Sequence, residues 1–251
     1  MSDFSMLRAL EASQRVAQRL GFGEVEPLPL RISDHVSLYL PAVPAVARVK
    51  PAAAEAAMRR ELDVVSHLAS KGAPVVPPLS GAHVEQGCVL SFWQWVPHRS
   101  ADPGKEDHRQ LAVAALRQVH GALSDYSGWL PTLEDKVEDC CALLRTASLP
   151  GLSEQDRHYL LEIAEELRGW KQEEVPLHGD AGFHNLFITG EGALWTDFAA
   201  ACRGPRGWDL SSLGMGDDPV LSALRSFCVS VWCWNLAEDP GKREAANLHL
   251  N

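Results

Sequence analysis

The sequence predicts an α+β protein in which a β-rich N-terminal lobe precedes a mainly helical C-terminal lobe. Between residues 27 and 50, short segments alternate apolar and polar side chains, as half-buried strands do. From residue 109 onward most segments repeat apolar residues at helical spacing, and one hairpin interrupts them. A polar stretch with proline and glycine separates the two regions. We therefore predict an N-terminal lobe at 1–97, a linker at 98–108 and a C-terminal lobe at 109–251.

Composition and charge limit the partners that the protein can have. The chain has 251 residues, of which 46% are hydrophobic, so it can build a substantial core. Its 33 acidic and 23 basic residues give a net charge of -10, which disfavours a nucleic-acid partner because phosphate neutralisation needs clustered Lys and Arg. No run of eighteen or more apolar residues occurs, so we expect no membrane partner.

The cellular location is predicted from the N-terminus and the cysteines. The first residues lack the order of a charged, an apolar and a small-residue segment that marks a signal peptide. The six cysteines have neither C-x-x-C spacing nor the spacing of a disulfide framework. We therefore predict a cytoplasmic protein with reduced, mostly buried thiols.

The elements of the N-terminal lobe follow from the periodicity of apolar residues. The first twenty residues predict an amphipathic helix, and "HVSLYLP" predicts a strand with one buried face. The next strand, "AVARVK", places Arg48 and Lys50 on the same face because side chains alternate along a strand. A helix over "AEAAMRRELDVVSHLAS" and an aromatic strand over "GCVLSFWQWVP" follow.

The C-terminal lobe is predicted to consist of helices and one hairpin. Helices are predicted over "HRQLAVAALRQVHGAL", "LEDKVEDCCALLRT" and "SEQDRHYLLEIAEELRGW", the last with a cap formed by Ser153 and Asp156. The hairpin is "NLFITGEGALWTDF", which turns between Gly190 and Gly192. The final predicted helix, "VLSALRSFCVSVWCWNLAE", is apolar almost all round and should be buried.

One loop, "PLHGDAGFHN", concentrates the polar chemistry, and Asp197 follows it at the far end of the hairpin. The loop could be a polar turn that only satisfies local backbone groups. It could hold zinc through His178, Asp180 and His184, although its glycines favour a loop over a helix that aligns ligands. It could also serve phosphoryl transfer, with Asp180 at the attacking hydroxyl and with Asn185 and Asp197 as oxygen ligands of magnesium. The two strands of the hairpin bring the chain back to the end from which it started. This explains how Asn185 and Asp197 can be separated in sequence and still bind one metal ion.

The paired motifs "HGDAGFHNLF" and "LWTDFAAACRGPRGWDLSSL" resemble those of the aminoglycoside phosphotransferase and choline kinase-like family. The resemblance implies a protein-kinase-like two-lobe fold and a kinase that uses ATP (or GTP) and Mg²⁺. It would move the γ-phosphate to a hydroxyl of a small molecule such as an aminoglycoside, choline or a sugar. By the same resemblance Asp180 is the catalytic residue, Asn185 and Asp197 are metal ligands, and His178 and Asp209 support the loop.

The resemblance also implies a nucleotide-binding role for the N-terminal lobe. Arg48 fits the position of the cation that steadies the phosphates, with Lys50 as the alternative on the same strand face. Glu61 fits the helix carboxylate that pairs with this cation, and Trp93 lies in the strand next to the adenine. The chain departs from the wider fold by having Arg where Lys is usual and by lacking a G-x-G-x-x-G loop. Backbone N–H groups and the Ser33 hydroxyl would then cover the phosphates.

Two questions about function stay open at this stage. A catalytically weak nucleotide- or ligand-binding protein on a kinase-like fold is the alternative to a kinase. Four acidic residues late in the chain could favour an amine-bearing substrate or could form a solvated acidic face; these are Asp217, Asp218, Glu238 and Asp239. The sequence specifies neither the substrate nor the oligomeric state.

Overall fold

The chain divides into two compact units, each formed from two segments. The computed structural model describes residues 6–32, 35–166, 174–236 and 240–250. Unit 1 consists of Met1–Trp129 and Phe183–Ala200, and unit 2 consists of Leu130–Gly182 and Ala201–Asn251. The division predicted from the sequence, into an N-terminal lobe at 1–97, a linker at 98–108 and a C-terminal lobe at 109–251, stays a prediction.

Unit 1 is built on a five-stranded antiparallel sheet, as the strand-like alternation predicts. Its strands in chain order are β1 (Leu28–Ile32), β2 (Val36–Leu40), β3 (Ala45–Pro51), β4 (His83–Glu85) and β5 (Cys88–Gln94). They lie in the order β1-β2-β3-β5-β4. Helix α1 (Met6–Arg19) precedes the sheet and α2 (Glu55–Ser70) follows β3.

The two faces of this sheet differ, because side chains of a strand alternate between them. One set of residues from β2, β3 and β5 packs with the buried face of α1 into an apolar core. The other residues of β3, among them Arg48 and Lys50, are only half-buried. The predicted alternation of β2 and β3 is therefore confirmed, and it directs both cations away from the core that contains α1.

A second, three-stranded sheet of unit 1 contains the predicted hairpin. Strands β8 (Leu186–Thr189) and β9 (Gly192–Trp195) pair antiparallel, and Thr189 lies opposite Gly192. The short strand β6 (Arg99–Ser100), which lies within the predicted linker, pairs with β8. Helix α3 (Glu106–Leu123) follows β6. The hairpin and its two-residue turn are thus where the sequence predicts them.

Unit 2 is mainly helical. Its helices are α4 (Leu133–Thr146), α5 (Glu154–Glu166), α6 (Gly207–Ser212), α7 (Pro219–Trp234) and α8 (Pro240–Leu250). Strands β7 (Val175–Leu177) and β10 (Cys202–Gly204) form an antiparallel pair. Helix α7 contributes many residues to the apolar core, as its composition predicts. Helix α8 was not predicted; the last predicted helix corresponds to α7.

Side-chain caps mark three helix starts in this unit. At α5 the Ser153 hydroxyl accepts the N–H of Asp156 at 3.0 Å, so the predicted cap is confirmed. Thr132 and Asp135 form a reciprocal capping box at α4. The Asp218 carboxylate accepts N–H groups of Val220 and Leu221 at the start of α7. Asp218 therefore caps α7, and a role for the late acidic residues in binding an amine-bearing substrate stays a prediction.

Two further expectations concern the whole chain. All six cysteines are buried and free of disulfide bonds, as predicted. In the described ranges, no helix is both long enough and hydrophobic enough to span a bilayer.

Candidate active site

A cavity of about 190 Å³ in unit 1 lies beside the half-buried face of β3. Four residues that the sequence analysis proposed for the site line it: Arg48, Trp93, Asn185 and Asp197. The first two come from the five-stranded sheet, and the other two come from the ends of the hairpin. The cavity therefore brings together the proposed phosphate cation and both proposed metal ligands.

Arg48 connects three elements around this cavity. Its Nη1 donates to Oε1 of Glu61 on α2 at 2.9 Å. Its Nη2 donates to the hydroxyl of Thr196, just after β9, at 2.6 Å. Its guanidinium carbon lies 4.7 Å from the ring centroid of Trp93, a cation–π distance. Arg48 lies opposite serines on both neighbouring strands, Ser37 and Ser91, and these small side chains crowd the guanidinium little.

Glu61 is buried, which makes its pairing with Arg48 energetically important. Burial raises the pKa of the Glu61 carboxyl, because the charged form loses hydration. The guanidinium of Arg48 opposes this rise, and the carboxylate of Asp197 adds to it. A cation bound at Asp197 would reduce this unfavourable contribution.

Lys50, the alternative phosphate cation, is placed differently. It is half-buried two residues after Arg48 on the same strand face, and it lowers the pKa of Glu61 less than Arg48 does. Among the described residues that line the cavity, Arg48 is present and Lys50 is not. The geometry favours Arg48 as the residue that reaches a ligand in this cavity.

The hairpin places Asn185 and Asp197 at its open end. Asn185 closes a short helical turn before β8, and its carbonyl accepts the N–H of Thr196 at 3.0 Å. Asp197 follows with φ of 63°, a left-handed conformation that Asp tolerates better than most residues. This conformation turns the chain out of β9 into the turn Phe198–Ala200. The backbone hydrogen bond from Thr196 to Asn185 thus joins the two ends of the hairpin at which the proposed metal ligands lie.

The donor set at the hairpin fits magnesium better than zinc. An amide oxygen and a carboxylate are oxygen donors, and magnesium combines a few such protein ligands with phosphate oxygens and water. Within the ranges that the structure describes, no three or more His, Cys, Asp or Glu side chains group together as a metal site. The zinc set of His178, Asp180 and His184 therefore does not form such a group.

In unit 2, residues of α6 hold the loop that contains Asp180. The Asp209 carboxylate is fully buried and accepts the N–H of His178 at 3.0 Å and the N–H of Gly179 at 2.9 Å. The indole N–H of Trp208 donates to the carbonyl of Gly179 at 2.9 Å. His178 accepts the N–H of Asp180 at 3.3 Å through Nδ1. Gly179 has φ of 83°, which favours glycine at this turn.

Replacing Asp209 by alanine is expected to lower the free energy of unfolding by about 3 kcal/mol, because two buried N–H groups lose their acceptor. Urea denaturation of the variant and the parent measures this difference. The exposed Asp217, a few residues further on, supplies a control, since Asp217→Ala should change stability by no more than roughly 0.5 kcal/mol. If Asp209→Ala and Asp217→Ala lower the free energy of unfolding by the same small amount, Asp209 does not hold the loop.

The Asp180 carboxylate has a partner that sequence reasoning missed. Arg225 on α7 donates from Nη2 to Oδ1 of Asp180. The side chain of Asp180 is 27% exposed, whereas that of Arg225 is 10% exposed. The sequence did contain a signal, because a single cation inside an otherwise apolar, buried helix requires a partner. That signal alone does not identify which carboxylate the cation meets.

The remaining proposed residues are placed as follows. Trp93 is buried, and its indole N–H donates to the Ser91 hydroxyl at 2.9 Å, so it belongs to the core while one side lines the cavity. Ser33 lies outside the described residues, as do Glu238 and Asp239. The cavity is also lined by Arg31 and His35, for which no role was predicted, and by His184, which was considered only as a zinc ligand.

The fold and the site together define a class: an α+β protein whose five-stranded sheet carries a strand cation paired with a helix carboxylate, beside the end of a hairpin. The chain matches the phosphotransferase enzyme family (APH) over residues 26–237, most of its length, and it belongs to that family. No curated protein matches the chain.

Solved structures of similar fold include both kinds of kinase that the motifs resemble. A GDP and kanamycin complex of APH(2")-IIIa has a TM-score of 0.67 at 14% identity, covering 96% of this chain and 97% of that one. A ternary complex of a thermostable APH(4)-Ia mutant with ADP and hygromycin B has a TM-score of 0.63 at 13% identity, covering 94% of each chain. A choline/ethanolamine kinase family protein from Mesorhizobium loti has a TM-score of 0.57 at 16% identity, covering 89% and 85%. At these identities the likeness shows a shared fold.

Proposed function

We propose that the protein is a small-molecule kinase that uses ATP or GTP with Mg²⁺ and phosphorylates a hydroxyl group. The observation that supports this proposal most strongly is the cavity that brings Arg48, Asn185 and Asp197 together. A cation for phosphates and two oxygen donors for a metal are what phosphoryl transfer needs on the nucleotide side. The family membership of the chain supports the same reaction class.

The nucleotide would bind along β3 and β5. Two of the guanidinium nitrogens of Arg48 are bonded to Glu61 and Thr196, and the group has five N–H donors in total. The remaining N–H donors suit phosphate oxygens. The cavity wall continues from Trp93 through Gln94 to Val96 and offers flat apolar surface and backbone groups for a purine. Solved structures of this fold have GDP or ADP bound, which supports a nucleotide as the ligand.

Asn185 and Asp197 would hold the metal. When bound, magnesium neutralises charge on the phosphate oxygens. The protein supplies one charged and one neutral oxygen ligand from the rigid end of the hairpin. The two residues lie just outside the paired strands, where the hydrogen bond from the Thr196 N–H to the Asn185 carbonyl holds the two ends of the hairpin together.

Asp180 would act on the acceptor. The hydroxyl oxygen attacks the γ-phosphorus, the bond to the bridging oxygen breaks, and the electron pair leaves with the nucleoside diphosphate. The hydroxyl proton passes to Asp180 or, oriented by it, to solvent. Asp209 and Trp208 hold the backbone on which Asp180 depends, so their role is support of the loop.

A nucleotide-binding protein with weak catalysis is the second candidate, and the absence of a G-x-G-x-x-G loop from the sequence favours it. Thermal unfolding with ATP or GTP, each with and without magnesium, separates the two candidates. Nucleotide at 100 times its Kd stabilises by about 2.7 kcal/mol, which raises Tm by roughly 5–10 °C.

A magnesium-dependent rise in Tm supports the kinase, and a rise that is equal without magnesium supports the binding protein. An ATP-consumption screen over hydroxylated metabolites and antibiotics then identifies the acceptor. A protein that shows no nucleotide-dependent rise under any of these conditions would contradict both candidates.

Arg48→Ala is expected to weaken ATP binding by at least about 10-fold, because the cavity loses its phosphate cation and Glu61 loses its partner. Lys50→Ala, the matched control on the same strand face, should weaken binding less. Calorimetric titration of both variants with ATP and magnesium measures the order. The reverse order would show that Lys50 is the phosphate cation.

A further inference from the structure

The guanidinium of Arg225 lies near two tryptophans in unit 2. Its central carbon is 5.5 Å from the ring of Trp208 and 5.6 Å from the ring of Trp232. Aromatic rings at these distances attract a guanidinium through cation–π interactions. Both rings therefore help to hold Arg225 where it contacts the carboxylate of Asp180.

The same ring, Trp208, also holds the loop. Its indole N–H donates to the carbonyl of Gly179, the residue immediately before Asp180. The next residue, Asp209, accepts the N–H groups of His178 and Gly179. One short helix thus fixes the backbone before Asp180 and, through Arg225, its side chain.

Arg225 has few other interactions that could explain its presence in an apolar helix. Within the described part of the chain its one hydrogen bond goes to Asp180, and its Nη1 is buried without a hydrogen-bond partner. A buried cation is costly, and replacing one by an apolar residue of similar size is often neutral or stabilising. Stability alone therefore gives a weak reason for arginine at this position.

We propose that Arg225 is a positioning residue that fixes the orientation of the Asp180 carboxylate for phosphoryl transfer. This inference rests on the proposed role of Asp180. One carboxylate oxygen is held by Arg225, so the carboxylate cannot rotate freely when a hydroxyl approaches. Asp180 therefore does not act as an isolated acid. It acts together with Arg225, which lies near two tryptophans.

A double-mutant cycle on ATP hydrolysis tests this inference without knowledge of the acceptor. Water replaces the hydroxyl: its oxygen bonds to the γ-phosphorus, the bridging bond breaks, ADP and phosphate leave, and a proton is released. The cycle compares the parent with Arg225→Met, Asp180→Asn and the double variant. Arg225→Met should lower kcat by about 10- to 100-fold with the KM for Mg·ATP changed less than about twofold.

The double variant should hydrolyse ATP no more slowly than Asp180→Asn alone, because Arg225 acts only through that carboxylate. Arg225→Lys, which keeps the charge but loses the planar group, should recover part of kcat. Arg157, an arginine of α5 that donates to the Leu144 carbonyl, gives a control: Arg157→Met should lower stability and leave kcat unchanged.

The outcomes separate two kinds of failure. Independent, multiplying losses in the double variant, or a kcat of Arg225→Met equal to that of the parent, would overturn the inference and leave the proposed function in place. If Arg225→Met does not fold, the Lys variant decides: a kcat above that of Asp180→Asn supports the inference, and a kcat no higher than that of Asp180→Asn overturns it. A parent that neither binds nor hydrolyses Mg·ATP would overturn the proposed function and this inference with it.

Discussion

Asp197→Ala is expected to lower magnesium-dependent ATP turnover by at least about 10³-fold while the protein stays folded. The site would lose its only proposed charged metal ligand, and metal charge at the phosphates contributes several kcal/mol to phosphoryl transfer. ATP turnover at saturating magnesium, with circular dichroism to check folding, measures this effect. The loss should persist at high magnesium, because the ligand that orients the ion is absent.

The left-handed backbone of Asp197 requires a second variant as a control. Alanine tolerates φ of 63° less well than aspartate, so part of any loss could come from the backbone. Asp197→Asn keeps a side chain that tolerates this conformation and removes only the charge. Both variants should lose turnover to a similar degree. If Asp197→Asn retains nearly the parent turnover, the carboxylate does not hold a catalytic metal.

Asp180→Asn is expected to lower phosphate transfer by about 10²–10⁴-fold and to leave ATP affinity nearly unchanged. The change keeps the shape and removes the negative acceptor for the hydroxyl proton. The proposed nucleotide and metal contacts belong to Arg48, Asn185 and Asp197, which this substitution does not alter. Turnover, ATP affinity and bound metal, all measured on this variant, give the comparison.

The same variant separates the three interpretations of the loop. Reduced turnover with normal ATP affinity supports phosphoryl transfer. A fall in tightly bound zinc would instead support a zinc site that includes Asp180. Unchanged turnover together with unchanged ATP affinity would mean that the loop is a polar turn without catalytic function.

The sequence predicts the elements around the site well where burial is one-sided. Strands β2 and β3 and helix α2 present clear periodic patterns, and the glycines of the hairpin mark its turn. These patterns suffice to place Arg48 and Glu61 on a strand and a helix. They also suffice to bring Asn185 and Asp197 to one end of a hairpin, because antiparallel pairing returns the chain.

Features that depend on tertiary packing were not predictable in the same way. Helix α8 has a mainly polar sequence, and Ala246 is one of its few buried residues, so its apolar pattern is weak. The contact of Arg225 with Asp180 joins residues 45 positions apart, and no local pattern specifies such a pair. Asp180 and Asn185 are close in sequence yet belong to different units, which periodicity does not indicate.

Calorimetric titration of the parent and of Asp197→Asn with ATP, in magnesium and in chelator, tests the central claim most directly. The claim is that the cavity lined by Arg48, Asn185 and Asp197 binds a nucleotide together with magnesium. Magnesium should tighten ATP binding to the parent by at least about 10-fold, which corresponds to about 1.4 kcal/mol, and should do so little or not at all in the variant. Equal ATP affinity in magnesium and in chelator for the parent, or the same magnesium dependence in the variant, would contradict it.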